Sequence, residues 1–381
     1  MKQKQGHAKA TRDAAEALVL TIESDGLLGV GECVPRSYVT GETNESVWDA
    51  IQRLDPEKLF SQLNFDSVSS VVQSIERAEL AEKLKSNVSG LAASCLLELA
   101  LLDWAGKKLK VPARDFAFAL GLSEEMLSPE PILKHHNTVT LNFFREPESL
   151  EKIPKSQLHL KVKVGEDRKL EINRLQRCRE LFGYEVPISV DANMAWNLEE
   201  ALEAAQAFSP FRIAWYEEPL KEECRANYRD LREKSGEKVM LDEAACGIGQ
   251  IHSAIKLGYC DLINIRISKC GGFLSSLRIA DLCHKSGVGF QLGVQVGQIG
   301  ILNAAGLQFS SAVKGILTVE GGYSLGNLVD QVIQEELRLD WDAGQTLGLS
   351  EFGLGVTLDI EKLKKYTVKK ASWSKTGWST V

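Results

Sequence analysis

The stretch Leu160-Lys161-Val162-Lys163-Val164-Gly165 sets two lysines on alternate positions of an otherwise apolar β pattern. Successive side chains of a strand point to opposite faces, so Lys161 and Lys163 share one face. In a parallel barrel that face is either the filled interior or the helix layer, and both are normally apolar. Two lysines there are costly unless they meet carboxylates or take part in chemistry. A solvent-facing edge strand is the competing reading, and Leu160, Val162 and Val164 weigh against it by making the other face apolar as well. Downstream, Asp191 ends Val186-Pro187-Ile188-Ser189-Val190, Glu217 ends Ile213-Ala214-Trp215-Tyr216, and Asp242 ends Val239-Met240-Leu241. Lys269 then follows Asp261-Leu262-Ile263-Asn264-Ile265-Arg266-Ile267-Ser268. The intervals from Lys163 through these residues are 28, 26, 25 and 27. One strand, loop and helix of a (β/α)8 barrel takes about 30 residues, and the carboxyl ends of its strands all open on one face. Charges spaced in this way converge in space.

The bulk properties agree with an enzyme of this architecture. A chain of 381 residues suits a barrel with a smaller companion domain. Its apolar fraction of 44% and charged fraction of 25% are ordinary for a globular protein. The net charge of −7 argues against a nucleic-acid partner, which would select a basic surface. No run approaches the roughly 18 apolar residues that a membrane span requires, and the polar opening Met1 to Thr11 does not read as a secretory signal. Eight cysteines without a CxxC pair read as reduced thiols of a cytoplasmic protein. Cys270, beside Lys269, reads as a packed small residue.

Along the chain, Ala17 to Glu23 and Leu27 to Glu32 form a strand pair around the turn Ser24-Asp25-Gly26. Helical patterns dominate from Asn44 to Lys108, and Leu91 to Trp104 is apolar nearly all round, hence buried. Residues 1–130 form an α+β capping unit. Residues 131–342 alternate strands and helices as a (β/α)8-type barrel, and residues 343–381 return to loop and β character beside the cap. The barrel strands are expected at Thr138–Asn142, Leu158–Val164, Pro187–Asp191, Ile213–Glu217, Val239–Asp242, Leu262–Ile267, Val288–Leu292 and Ile316–Glu320. Glu171–Leu181, Leu198–Ala207 and Phe273–Lys285 are amphipathic helices between them.

Any one of the three acids alone reads as a helix-capping residue after a strand. Three in successive units make a hard oxygen-ligand set suited to Mg²⁺. Glu218 and Glu243 follow Glu217 and Asp242 directly, and position at the strand end favours the earlier acid of each pair. A lysine near other cations and partly desolvated is expected to have a lowered pKa and to act as a base at neutral pH. Lys269 lies in a unit well around the barrel from Lys163, so the two lysines are expected to face each other across a substrate. Gly293-Val294-Gln295-Val296-Gly297 lacks the spacing of a nucleotide-binding loop. His135, His136 and His284 have no ligand spacing.

With these residues in hand, the chain resembles the enolase superfamily in its muconate-lactonizing-enzyme subgroup, closest in style to the dipeptide epimerases. Further motifs carry the resemblance along nearly the whole chain: Gly29-Val30-Gly31-Glu32, Tyr38-Val39-Thr40-Gly41-Glu42-Thr43, Tyr216-Glu217-Glu218-Pro219, Ser268-Lys269-Cys270-Gly271-Gly272 and Gly353-Leu354-Gly355-Val356. It implies that Asp191, Glu217 and Asp242 bind Mg²⁺, with Mn²⁺ as a substitute, and that the metal holds a substrate carboxylate. It also implies Lys163 and Lys269 as acid and base, Lys161 tuning Lys163, and Asn193, Asn264 and Glu243 in support. The cap loop from Arg36 to Glu42, including Tyr38, would close over the distal end of the substrate. Two departures stand out. The N-terminus is short: family members usually start with another strand and a specificity loop before the region matching His7 to Arg12. The eighth strand also carries Thr318-Val319-Glu320-Gly321-Gly322-Tyr323 where dipeptide epimerases have Asp-x-Asp, leaving Glu320 to meet a substrate ammonium.

The leading expectation is a Mg²⁺-dependent racemase or epimerase acting α to a carboxylate, on a dipeptide or N-substituted amino acid. A cycloisomerase or a β-eliminating synthase of the o-succinylbenzoate type is the alternative, since each needs only one lysine for chemistry. A non-catalytic metal-binding barrel is remote, because a structural Mg²⁺ site needs no bases. The expected partner is a small carboxylate, without nucleic acid or membrane, and a homo-oligomer is compatible with the chain.

Overall fold

A computed structural model describes residues 5–7, 10–12, 14–141, 147–150, 153–321, 328–340, 345–375 and 377–380. Ala8 and Lys9, Asn142, Gly322 and Tyr323, and the first residues of the expected C-terminal segment lie outside them. A short pair, β1 (Gln5–His7) and β2 (Ala10–Arg12), precedes the antiparallel hairpin β3 (Leu18–Ser24) and β4 (Leu27–Cys33). Helices α1 (Asn44–Gln52), α2 (Pro56–Phe60), α3 (Val68–Ala78), α4 (Leu80–Leu84) and α5 (Leu91–Leu109) follow. The long α5 is buried on almost every side and lies directly on β4. Gly29 and Gly31 permit this approach. A Cβ on either would fall far inside contact distance of the α5 carbonyl oxygens of Ala100 and Leu96.

Eight parallel strands then close a barrel. They are β5 (Asn137–Leu141), β6 (Leu158–Lys163), β7 (Ile188–Asp191), β8 (Tyr216–Glu217), β9 (Val239–Leu241), β10 (Leu262–Ile265), β11 (Gly289–Leu292) and β12 (Ile316–Val319). They run round the ring in sequence order, and β12 returns to β5. The helices α6 (Arg168–Phe182), α7 (Leu198–Phe208), α8 (Tyr228–Ser235), α9 (Ile248–Lys256), α10 (Phe273–Lys285) and α11 (Ile301–Ala312) alternate with them. Side-chain caps start several: Asp167 accepts from two amides at the start of α6, and Asn197 forms a capping box with Glu200 at α7.

Several expected strands lose one residue at an end, and two lose more. Ile213 to Trp215 keep separate ladder bonds but not continuous pairing, so β8 is only Tyr216–Glu217. The strand expected to reach Ile267 stops at Ile265, because the chain turns and the Cys270 amide donates to the Arg266 carbonyl at 2.9 Å.

After β12 come the antiparallel pair β13 (Arg338–Asp340) and β14 (Gln345–Leu347), then a helix not read in the sequence, α12 (Ile360–Tyr366). The terminal hairpin is β15 (Ala371–Ser374) and β16 (Gly377–Thr380). This tail bonds back to the cap: the Leu354 amide donates to Asp103 at 2.8 Å and the Trp378 indole to the Leu54 carbonyl at 3.2 Å.

Buried carboxylates tie the N-terminal elements together and to the barrel. Glu32 of β4 accepts from the amides of Ile299 (2.8 Å) and Leu302 (2.9 Å) at the start of α11, and Glu98 of α5 accepts from Leu274 (3.0 Å) at the start of α10. Glu42 accepts from Ala92 and Ala93 at the start of α5. Each meets the positive end of a helix. Burial nevertheless pushes Glu32 up to about 7 and Glu98 up to about 8.

Candidate active site at the barrel mouth

The barrel floor is closed. His159 shares the inward face of β6 with Lys161 and Lys163, stacks on Trp215 with ring centroids 4.6 Å apart, and meets Thr138 Oγ1 at 2.9 Å. Burial pushes the imidazole down to about 3, so it is neutral. Trp215, Met240 and Leu262 pack together in the same interior. The lysines above this floor therefore face the carboxyl ends of the strands.

Register brings the first three charges side by side. Lys163 pairs with Asp191 across β6 and β7, and Asp191 with Glu217 across β7 and β8. Lys163 Nζ donates to Asp191 Oδ2 at 2.6 Å and to Asn193 Oδ1 at 2.5 Å, and its side chain is 11% exposed. Asn193 also donates to Glu243 Oε1 at 3.3 Å. The loop that carries it is conformationally costly: Asn193 (φ 45°), Met194 (φ 63°) and the facing Glu218 (φ 39°) are all left-handed. The Met194 amide, donating to the Glu218 carbonyl at 2.7 Å, locks the two loops together.

Lys161 is buried among acids. It donates to Glu217 Oε1 at 3.2 Å, lies 3.6 Å from Asp191 Oδ2, and contacts Glu320 Oε1. Burial works against its charge, but Glu217, Glu320 and Asp191 outweigh that and hold its pKa above the ordinary lysine value. The expectation of a lowered pKa therefore fails at Lys161, because its neighbours are carboxylates rather than cations. Burial pushes Glu217 up to about 7 against the pull of Lys161. Asn264 Nδ2 donates to Glu217 Oε1 at 2.9 Å. Burial also pushes Glu320 up, yet Lys161 and Arg266 more than offset it and hold the carboxyl below its usual range. The Val294 amide donates to Glu320 at 2.9 Å. Glu320 is thus spoken for within the barrel by Lys161 and a main-chain amide.

Lys269 follows β10, which lies four strands round the ring from β6 and so on the side opposite Lys163. It lies beyond β10 in a turn, is 0% exposed, and directs its ammonium to the Asp242 carbonyl, to Asp242 Oδ1 (2.8 Å) and to the Ala245 carbonyl (3.1 Å). An ammonium has three donors, and all are taken. Sequence reasoning passed over Arg266, which is 9% exposed; its guanidinium contacts Asp242 Oδ2 and lies 4.0 Å from Glu217 Oε1. Parity was the available signal, since Arg266 follows Asn264 by two positions and Asn264 points into the barrel.

The cap loop reaches this mouth. The Val34 amide donates to Ser268 Oγ at 3.1 Å, Arg36 donates to the carbonyls of Pro35 (2.8 Å) and Val296 (2.6 Å), and Cys246 Sγ meets the Val39 carbonyl at 3.3 Å. Tyr38 is half-buried in the same loop. Cys270 is buried and all eight cysteines are free thiols, so Cys270 is packed as expected.

The donor set fits a hard divalent cation in chemistry: three fully buried carboxylates, at Asp191, Glu217 and Asp242, whose oxygens now face side-chain cations. Among the described residues, no three acidic, histidine or cysteine side chains are drawn together as a ready metal cluster. Lys161 and Arg266 stand beside these carboxylates and would yield oxygens to a metal by shifting a side chain, not the backbone. No helix among the described residues is long and apolar enough to cross a membrane.

Known proteins share this arrangement of elements. The chain is 26% identical over 310 residues to the hydrophobic dipeptide epimerase of Enterococcus faecalis, covering 81% of this chain and 83% of that protein. It is 26% identical over 309 residues to the N-succinyl-L-Arg/Lys racemase of Bacillus cereus, covering 80% and 79%. Among solved structures, the Enterococcus faecalis V583 dipeptide epimerase complexed with Mg and L-Leu-L-Tyr superposes with a TM-score of 0.76 at 24% identity, covering 93% of this chain and 96% of that one. The muconate lactonizing enzyme of Pseudomonas putida superposes at 0.74 with 20% identity, covering 92% and 94%. Residues 156–363 match the family described as enolase C-terminal domain-like, and the chain belongs to that family, within the enolase superfamily.

Proposed function

We propose that the protein is a Mg²⁺-dependent isomerase, a racemase or epimerase that removes the proton α to the carboxylate of a dipeptide or N-substituted amino acid. The observation that carries this reading is the rung Lys163–Asp191–Glu217, which sets a primary amine beside hard oxygen donors at the open end of the barrel. The relatives at 26% identity, an epimerase and a racemase, supply the reaction class. Residues 1–130 and 343–381 are assigned to a cap and residues 131–342 to the catalytic barrel.

Asp191, Glu217 and Asp242 would hold Mg²⁺, or Mn²⁺ in its place. The metal would supply a Lewis acid that holds the substrate carboxylate and lowers the energy of the enediolate. Lys163 takes the α proton, aimed by its bonds to Asp191 and Asn193, and Lys269, after the strand opposite, returns a proton to the other face. Lys161, held cationic by three acids, offsets their negative charge beside it. Asn264 and Glu243 orient the ligands and Asn193. The loop from Arg36 to Glu42 excludes water and reads the distal part of the substrate, while Glu320, engaged by Lys161 and the Val294 amide, helps to keep Lys161 cationic.

A second reading is elimination or cycloisomerisation, which needs a single base. The full engagement of Lys269 favours it. The two separate in D₂O with Mg²⁺, using a panel that includes L-Leu-L-Tyr and N-succinyl-L-arginine, followed by NMR. α-Deuteration with inversion is the expected result. A dehydrated or ring-closed product establishes the second reading, and absence of exchange across the panel with Mg²⁺ bound sinks the first.

A further inference from the structure

The floor of the barrel is divided. Trp215, Met240 and Leu262 fill the side toward β8, β9 and β10 with apolar bulk, as barrel interiors usually are filled. The consecutive strands β6, β5, β12 and β11 instead bring His159, Thr138, Thr318 and Gln291 inward, none of them more than 4% exposed. Each touches the next. His159 Nδ1 lies 2.9 Å from Thr138 Oγ1, Thr138 Oγ1 2.8 Å from Thr318 Oγ1, and Thr318 Oγ1 3.2 Å from Gln291 Oε1. Gln291 Nε2 then reaches across the interior to Glu217 Oε2 at 3.5 Å. Buried polar groups are costly unless partnered, so a connected set of them where apolar side chains would serve calls for a purpose.

The direction of this chain is fixed from the acid backwards. Both oxygens of Glu217 accept from the Lys161 ammonium, at 3.2 and 3.3 Å, so the Gln291 amide turns its Nε2 to the carboxylate and leaves Oε1 facing Thr318. That oxygen only accepts, which commits the single proton of the Thr318 hydroxyl. Thr138 therefore donates to Thr318, and its own oxygen is left to accept from His159 Nδ1–H. Burial pushes the imidazole down to about 3, so it is neutral, with its proton on Nδ1 and its lone pair on Nε2. Among the described residues no group bonds to that Nε2. Four donors in a row thus point at Glu217, and aligned hydrogen bonds polarise one another. The side-chain amide in the row is not a proton carrier, so the chain orients and does not conduct.

Resting on the reading of Glu217 as a metal ligand, we propose that Gln291 is a positioning residue for Glu217, and that Thr318, Thr138 and His159 hold its amide in place through this one-way chain. Asn264 donates to Glu217 Oε1 at 2.9 Å and Gln291 to Oε2, so the plane of the carboxylate is set from both of its oxygens. A carboxylate held in this way meets an incoming Mg²⁺ already oriented, which is what the outer partners of a ligand contribute. Lys163 and Lys269 remain the proton carriers on the two faces, and the chain acts beneath them.

Two measurements on the whole protein test this. In the metal-free protein, long-range ¹H–¹⁵N spectra report which ring nitrogen of each of the six histidines carries the proton, and His159→Phe identifies the signal. A proton on Nδ1 of His159 is expected, and one on Nε2 would overturn the chain. Calorimetric titration with Mg²⁺ alone reads the consequence. Gln291→Leu should weaken Mg²⁺ about tenfold, the scale on which such outer partners act. Thr318 reaches Glu217 only through Gln291, yet Thr318→Val should weaken Mg²⁺ roughly threefold or more, and Thr318→Ser, which keeps the hydroxyl, should bind it as wild type does. A loss below threefold in Gln291→Leu, or a Thr318→Ser no better than Thr318→Val, would overturn the proposal. If Thr318→Val does not fold, the Gln291 variant and the histidine proton decide without it. Wild type with the proton on Nδ1 that binds no Mg²⁺ would instead overturn the reading of Glu217 on which the proposal rests.

Discussion

Buried carboxylates occur in two regions of this molecule, and they are satisfied by different kinds of donor. At the seam between the N-terminal unit and the barrel, Glu32 and Glu98 accept from main-chain amides at helix starts, as Glu42 does within that unit. At the barrel mouth, Asp191, Glu217, Asp242 and Glu320 meet the side-chain cations Lys161, Lys163, Lys269 and Arg266. Burial raises Glu98 to about 8 and Glu217 to about 7, so desolvation alone does not tell the regions apart. The donors do. A helix amide cannot be withdrawn without unwinding the helix, whereas a side-chain cation can swing away and leave oxygens for a metal or a substrate. Seam acids hold structure, and mouth acids are available for exchange.

The largest effect should come from the mouth. Lys163→Ala is expected to lower α-proton exchange by about 10³-fold while the protein stays folded, measured by deuterium incorporation and circular dichroism. A mild loss would show that the rung does not carry the chemistry. At the seam the expected effect is on stability. Glu98→Leu leaves the Leu274 amide at the start of α10 without its buried acceptor, which costs about 1–3 kcal/mol. Denaturant unfolding should show the loss with Mg²⁺ affinity intact; a matching loss of Mg²⁺ would break the distinction between the two regions.

The pH response sharpens the comparison further. In the folded protein Glu98 keeps its proton up to about pH 8 against an ordinary 4.5. Between those values the folded state binds more protons than the unfolded one, so this group's contribution to stability falls as pH rises through that window. Thermal unfolding of Glu98→Gln should accordingly depend less on pH between 5 and 8 than that of wild type, and parallel curves would refute the assignment. The smallest effect belongs to a helix start away from both regions: Asn197→Ala at α7 should cost about 1 kcal/mol by denaturant unfolding.

Much of the architecture could be read from periodicity. Strands alternating with helices at near-constant spacing fixed the barrel, because each βα unit repeats the same local pattern. β8 resisted, since Ile213 to Trp215 have strand composition while their pairing depends on the neighbouring strands. The helix α12 was missed within a tail read as loop and β, although Asp359 caps it at Lys362. At the site, the rung of Lys163, Asp191 and Glu217 was legible because each ends its strand. Lys269 was legible by the same spacing, which puts it after the strand opposite β6, but its bonds to the Asp242 and Ala245 carbonyls were not, since they depend on the turn in which the strand has already ended. Arg266 was legible in principle, as the inward partner of Asn264. The seam glutamates were not, for the amides they meet lie up to 270 positions away in the chain.

The contact between β4 and α5 bears on how this protein can change over generations. Gly29 and Gly31 leave no side chain between the strand and the helix backbone, so no neighbouring substitution can make room for a larger residue at either position. Innovation in the cap is thereby channelled into its loops. Substrate preference can drift while the plate that carries those loops stays invariant, which makes these two positions the poorest places to begin redesigning specificity and the surest landmarks for aligning distant descendants.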